Sequence, residues 1–187
     1  NWRNLGTFSK GLASCCLYAV EDSARSIAVG HTIVETMTYM SAGIGGKSMI
    51  RSLGDKVRKG AFLHQGKQPY QVATRALTKA NLQGSRGGAS TDYIDVFDPE
   101  IRTMVMYQNP RTPEDKRIRG MHFAVIMNPF FVKKALLGEN IFFFNCKTAP
   151  DLYKAFSEGK EEEFVKLYEK YEYDASFPKT FDSAREI

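Results

Sequence analysis

Short apolar runs alternate along the chain with stretches whose apolar positions recur every three or four residues, the pattern of strand followed by helix. Residues 12–20 (LASCCLYAV) predict a buried strand, and Asp22 and Ser23 then supply an N-cap signal for a helix over 23–41 with Ile27, Ile33, Val34 and Met37 on one face. Residues 42–50 (AGIGGKSMI) read as a glycine-rich strand. A polar, basic stretch follows, and Pro69 begins a second helix with Val72, Ala73, Ala76 and Leu77 at helical spacing. After the glycine-rich LQGSRGGAST comes YIDVF as a third strand, with Asp98-Pro99-Glu100 starting the helix IRTMVMYQ, which stops at Asn109-Pro110. Beyond a charged loop over 110–120, HFAVIMN is a fourth strand, Pro129 opens the next helix and Gly138 closes it. NIFFFNC is the fifth apolar run. Pro150 then starts one long helix to residue 172, with Leu152, Phe156, Phe164, Leu167 and Tyr168 turned inward.

Five strand-then-helix units in succession predict an α/β fold with a parallel sheet and helical crossovers. Such strands are buried on both faces and read as continuous apolar runs. Ligands of these folds gather at the carboxyl ends of the strands. The glycine-rich and basic loops, after strands one and two and before strand three, are placed there. No linker, internal repeat or low-complexity tract divides residues 1–187, so they are expected to form a single segment.

Composition narrows the class. With 43% apolar and 25% charged residues among 187, a disordered chain is excluded. No apolar run is long enough to span a membrane, and residues 1–20 do not read as a signal peptide. Three cysteines, two of them adjacent at 15 and 16, do not form a secreted disulfide framework and point to a reducing cytoplasm. Residues 1–120 carry 17 Lys/Arg against 10 Asp/Glu, whereas 121–187 carry 9 against 11. That basic front half suggests an anionic partner, or a lysine-rich solvated surface.

Among the motifs, Ser41-Ala42-Gly43-Ile44-Gly45-Gly46-Lys47-Ser48 ends like a phosphate-cradling P-loop, but Ser41 stands where that pattern wants glycine and no long helix follows. The loop over 51–67 holds Arg51, Lys56, Arg58, Lys59 and Lys67, and arginine forks suit phosphate oxygens. In Gln83-Gly84-Ser85-Arg86-Gly87-Gly88 the glycines allow close backbone approach, while Gln83 and Arg86 can meet a base edge or a phosphate. His31, His64 and His122 make no metal-ligand spacing, so no metal site is expected. No Ser-His-Asp set or carboxylate pair stands out, and the segment does not carry a complete catalytic machine.

Taken together, ASCC-L followed by Asp22-Ser23, the SAGIG stretch, Arg51-Ser-Leu-Gly with Arg58 seven residues on, Gln83-Gly-Ser-Arg-Gly-Gly-Ala, RIRGMHFAVIMN and the acidic LYEKYEYD helix end resemble the large (α) subunit of ribonucleotide reductase, class I in kind. The resemblance implies an N-terminal half of a ten-stranded α/β barrel, without an ATP cone. It implies that Cys15 is one of a redox-active pair that reduces the ribose and is re-reduced by thioredoxin or glutaredoxin. Ser14 and Gly43 would line the substrate, Asp22 and Ser23 would hold the sugar of a dNTP effector, and Arg51 and Arg58 would contact its phosphates. Gln83 and Arg86 would relay effector identity to the substrate base.

Other parts of the family's machinery are absent from these residues: the radical-bearing cysteine, its asparagine and glutamate helpers, the partner of Cys15 and the substrate-phosphate loop. Cys146 falls at no matching place and reads as structural. The family implies no cofactor bound by this segment beyond a dNTP or ATP effector, with the radical supplied by a separate small (β) subunit. Partners would be a chain carrying the second half of the barrel, that β subunit, thioredoxin or glutaredoxin, and a second α subunit. Neither nucleic acid nor membrane is expected. This chain alone is expected to be inactive. The competing readings are a P-loop NTPase using Lys47 and a basic nucleic-acid-binding module over 47–119.

Overall fold

The computed structural model describes residues 14–54, 63–80 and 88–185. Its elements run β1 (Cys15–Glu21), α1 (Ala24–Tyr39), β2 (Gly43–Met49), α2 (Gln68–Ala80), β3 (Ser90–Asp95), α3 (Ile101–Met106), a 3-10 turn (Glu114–Lys116), β4 (His122–Ile126), α4 (Pro129–Leu137), β5 (Asn140–Phe143), α5 (Pro150–Ser157), α6 (Glu161–Tyr173) and β6 (Thr180–Ser183). Ser23 caps α1, its Oγ accepting from Ser26 N at 3.1 Å, and Asn128 caps α4 ahead of Pro129. β1, β2, β3 and β4 lie in that order in one sheet. β1 and β2 are parallel, as are β2 and β3, with α1 and α2 as the crossovers. The α/β class with a parallel sheet is what the hydrophobic pattern requires.

Two expectations differ from what the described residues form. β5 does not extend the parallel sheet; it pairs antiparallel with β6, from Asn140 opposite Ser183 to Phe143 opposite Thr180. The sheet that carries the parallel strands β1, β2 and β3 therefore holds four strands among the described residues where five were expected. The single long helix after Pro150 is also two helices, broken at Gly159, which takes the left-handed φ of 69°. The apolar spacing runs on across the break because α5 and α6 cover the same aromatic cluster.

The chain divides into two compact units, the first from residues 1–50, 67–94 and 105–124, the second from 51–66, 95–104 and 125–187. Each is assembled from three separated stretches, which is why no linker shows in the sequence. In the first unit Val20, Ile50 and Tyr70 form a buried core against which Tyr18 and Ile27 pack. The Tyr18 and Tyr70 hydroxyls meet at 2.5 Å, and His31 stacks on Tyr70 with 4.9 Å between ring centroids. Buried Asp92 accepts hydrogen bonds from Ser48 Oγ at 2.8 Å and Gln71 Nε2 at 2.6 Å, which tie the middle of the sheet to α2. In the second unit fully buried Phe97 is surrounded by Phe131, Tyr153, Phe156 and Phe164 at centroid distances of 4.8–5.8 Å.

Burial pushes the phenols of Tyr18 and Tyr70 in the first unit above their ordinary value, Tyr18 further because the Tyr70 hydroxyl lies beside it. Burial does the same to Tyr153 and Tyr168 in the second unit. A raised phenol is neutral in the fold while its unfolded counterpart ionises near pH 10, so its stabilisation is whole below about pH 10 and drains away as the pH climbs beyond. The buried tyrosinate absorbance is expected to appear in one step with the loss of circular dichroism above that pH. Gradual ionisation ahead of unfolding would contradict this account.

Candidate functional site

Side chains alternate across a strand, and parallel register places partners on the same face. Tyr18 and Val20 face the core shared with α2. Cys15, Leu17 and Ala19 therefore point the other way, and all three are exposed, Leu17 to 78%. Their partners in β2 are Gly43, Gly45 and Lys47, and the register continues to Thr91 and Tyr93 in β3. Gly43 N donates to Ser14 O at 2.7 Å. A Cβ at Gly43 would sit 3.6 Å from both Cys15 Sγ and Ser14 O, so glycine leaves that flank of the thiol without a side chain. At Gly45 a Cβ would come within 2.5 Å of Leu17 Cδ2 and 3.3 Å of Tyr93 Cε2, because those two side chains close over it. Leu17 and Tyr93 were not singled out from the sequence, where period-two alternation shows facing but not register. Cys16 points to the opposite face from Cys15, so the adjacent thiols do not share a site.

The predicted residues fall at two ends of the sheet. Ser14, Cys15 and Gly43 stand at the amino ends of β1 and β2, where Ile44 N also donates to Ala89 O at 2.9 Å as the chain enters β3. Asp22 and Ser23 follow the carboxyl end of β1, level with that of β2 because Glu21 pairs with Met49. Arg51, half-buried, comes directly after Ile50. The seven residues of β1 separate the two sets by about 20 Å. Placing every functional loop at the carboxyl ends was thus incorrect. The stretch before β3 leads into an amino end, and the thiol stands at that end too. Ser23 Oγ is engaged in the helix cap, and Asp22 is half-buried. Arg58, Gln83 and Arg86 lie outside the described residues.

The P-loop alternative does not survive the fold. Gly46, Lys47 and Ser48 lie inside β2, which has a paired strand on each side, so its amides belong to the ladder and are not free to cradle phosphate. Cys146 is half-buried and forms no disulfide. Among the described residues no group of three or more His, Cys, Asp or Glu could hold a metal ion, and no helix is long and apolar enough to cross a membrane.

A parallel sheet with α2 packed on one face and an exposed thiol on the other is the arrangement of an α/β barrel wall. A family model described as the ribonucleotide reductase barrel domain matches residues 13–187, and the chain belongs to that family. It is 33% identical over 94% of its length to the ribonucleoside-diphosphate reductase subunit α of Buchnera aphidicola subsp. Baizongia pistaciae, covering 23% of that protein. To ribonucleoside-diphosphate reductase 1 subunit α of Escherichia coli (strain K12) it is 33% identical over 97% of its length, covering 24% of the relative. The subunit α of Enterobacteria phage T4 is 28% identical over 97% of this chain, with 24% of that protein covered. The chain spans about a quarter of the length of these relatives.

Proposed function

We propose that this chain is part of the α subunit of a ribonucleoside-diphosphate reductase and that Cys15 is one of the two thiols that reduce the ribose. The observation that supports it is the exposed Cys15 on the face turned away from α2, flanked by Ser14 and Gly43 at the amino end of the sheet. Two thiols become a disulfide, two electrons and two protons pass to the nucleotide, and the 2′-hydroxyl departs as water. Ser14 and Gly43 line the substrate, and Gln83 and Arg86 contact it in turn. The partner thiol, the residue that carries the radical, and thioredoxin or glutaredoxin as reductant lie outside these residues. A separate β subunit supplies the radical.

At the other end of β1, Asp22 and Ser23 hold the sugar of a dNTP effector while Arg51 and Arg58 meet its phosphates. Effector and substrate then sit at opposite ends of the same strands. An effector influences the substrate only by binding alternative arrangements of the intervening loops with different affinity. β1 and β4 are the edges of the described four-stranded sheet, and a second half of the barrel covers them.

Calorimetric titration of the full chain with dTTP and dATP tests the effector half of this reading. Saturable binding is expected, and Asp22→Ala should weaken it about tenfold, the loss of one hydrogen bond to a charged group. Affinity that falls steeply with salt and ignores the base would favour a nucleic-acid surface instead. The 187-residue chain alone, given radical subunit and reductant, should show no turnover; activity there would overturn the need for a second half.

A further inference from the structure

We propose that Glu100 is the positioning residue of the 51–66 stretch, a clamp that holds both flanks of the arginine-bearing segment on one carboxylate. This rests on the reading that Arg51 meets an effector phosphate. Leu53 N donates to Glu100 Oε1 at 3.2 Å. On the other flank buried Gly66 lies so close to the same carboxylate that an added Cβ would overlap Oε1, and its φ of +73° is one that other residues rarely adopt. The flanks are also joined to each other: Gly54 N donates to His64 O at 2.9 Å, and Gly66 N donates to His64 Nδ1 at 3.0 Å.

Glu100 itself is fixed where the chain turns from β3 into α3. Asp98 Oδ1 accepts from Glu100 N at 3.0 Å, Ile101 N donates to Asp98 O at 3.1 Å, and Met104 N donates to Glu100 O at 3.0 Å. The carboxylate is therefore presented from a rigid corner to two backbone sites thirteen residues apart in sequence. Fixing the backbone at Leu53, two residues beyond Arg51, in advance removes part of the ordering cost that a ligand must otherwise meet. Glu100 thus acts on the nucleotide through the loop, two residues beyond Arg51, without touching it.

The test uses the full chain with dTTP as probe. Glu100→Ala should weaken dTTP binding about tenfold and speed amide exchange at Leu53, Gly54 and Gly66, with exchange in β1 and β2 unchanged. Glu100→Gln keeps an acceptor for Leu53 N and should return affinity to within about threefold of the parent. Glu100→Ala with Arg51→Ala should lose less than the two single losses combined, since both act on one loop. If Glu100→Ala does not fold, Glu100→Asp, too short to reach both flanks, carries the same expectation. Unchanged affinity in the alanine variant, or equal loss in the alanine and glutamine variants, would overturn the clamp. Should the parent chain itself bind no dTTP, the effector reading fails, and exchange at Leu53 and Gly66 decides the clamp alone: faster in Glu100→Ala sustains it, unchanged refutes it.

Discussion

Replacing Cys15 with serine in this chain assembled with the rest of the barrel and the radical-supplying subunit is expected to lower multiple-turnover formation of deoxyribonucleotide by about a hundredfold or more, because a hydroxyl can neither form a disulfide nor release the two electrons that go with one. Serine is nearly isosteric, and Cys15 is exposed on a strand whose other face carries the packing, so stability should change by no more than about 0.5 kcal/mol. Effector affinity should also stand, since Asp22 follows the far end of β1. Cys16→Ser is the matched control: its side chain is on the opposite face, and turnover should stay near that of the parent. Product formation under thioredoxin and a count of free thiols after one turnover read the result. A serine variant that turns over like the parent would remove Cys15 from the chemistry.

Much of this layout was legible because the deciding pattern is local. The apolar runs that became β1 to β4 and the capping residues Ser23 and Asn128 are read from a few neighbouring positions. What was not legible depends on distant partners. β6 is a four-residue TFDS whose strand character comes from pairing with β5. Gly159 interrupts a helical pattern that continues on both sides because Phe156 and Phe164 pack together, with ring centroids 5.0 Å apart. Leu17 and Tyr93 meet over Gly45 only once the register of three strands is set. Glu100 reads as an ordinary first-turn acid of a helix, and its contact with Leu53 spans 47 residues. The division of Cys15 and Asp22 between opposite ends was implicit in their positions on one strand, yet the rule that ligands gather at carboxyl ends obscured it.

The second large effect is expected at Gly88, where the chain approaches β3. A Cβ there would overlap the carbonyl oxygen of Thr78 and lie 2.6 Å from Thr38 Cγ2. Neither neighbour can yield cheaply. Both threonines are buried, and their hydroxyls are tied back to the preceding helical turn, Thr38 to Val34 O at 2.6 Å and Thr78 to Thr74 O at 2.7 Å. Gly88→Ala must therefore displace backbone, at a cost of about 2–3 kcal/mol, or a fall of about 4–12 °C in the melting temperature of a chain of this length. Gly159→Ala separates this from simple conformational strain: nothing lies within 4 Å of that position and only its positive φ opposes the change, so it should cost about 1 kcal/mol. The displacement also has a direction. Ala89, the next residue, accepts from Ile44 N beside Gly43, so the shift passes to the end of the sheet that carries Cys15. In the chain assembled with the rest of the barrel, Gly88→Ala should then depress turnover more than it depresses dTTP affinity. Equal losses in both would mean that the two ends of β1 are not independently placed, and parent-like melting would mean that α1 and α2 give way where the packing says they cannot.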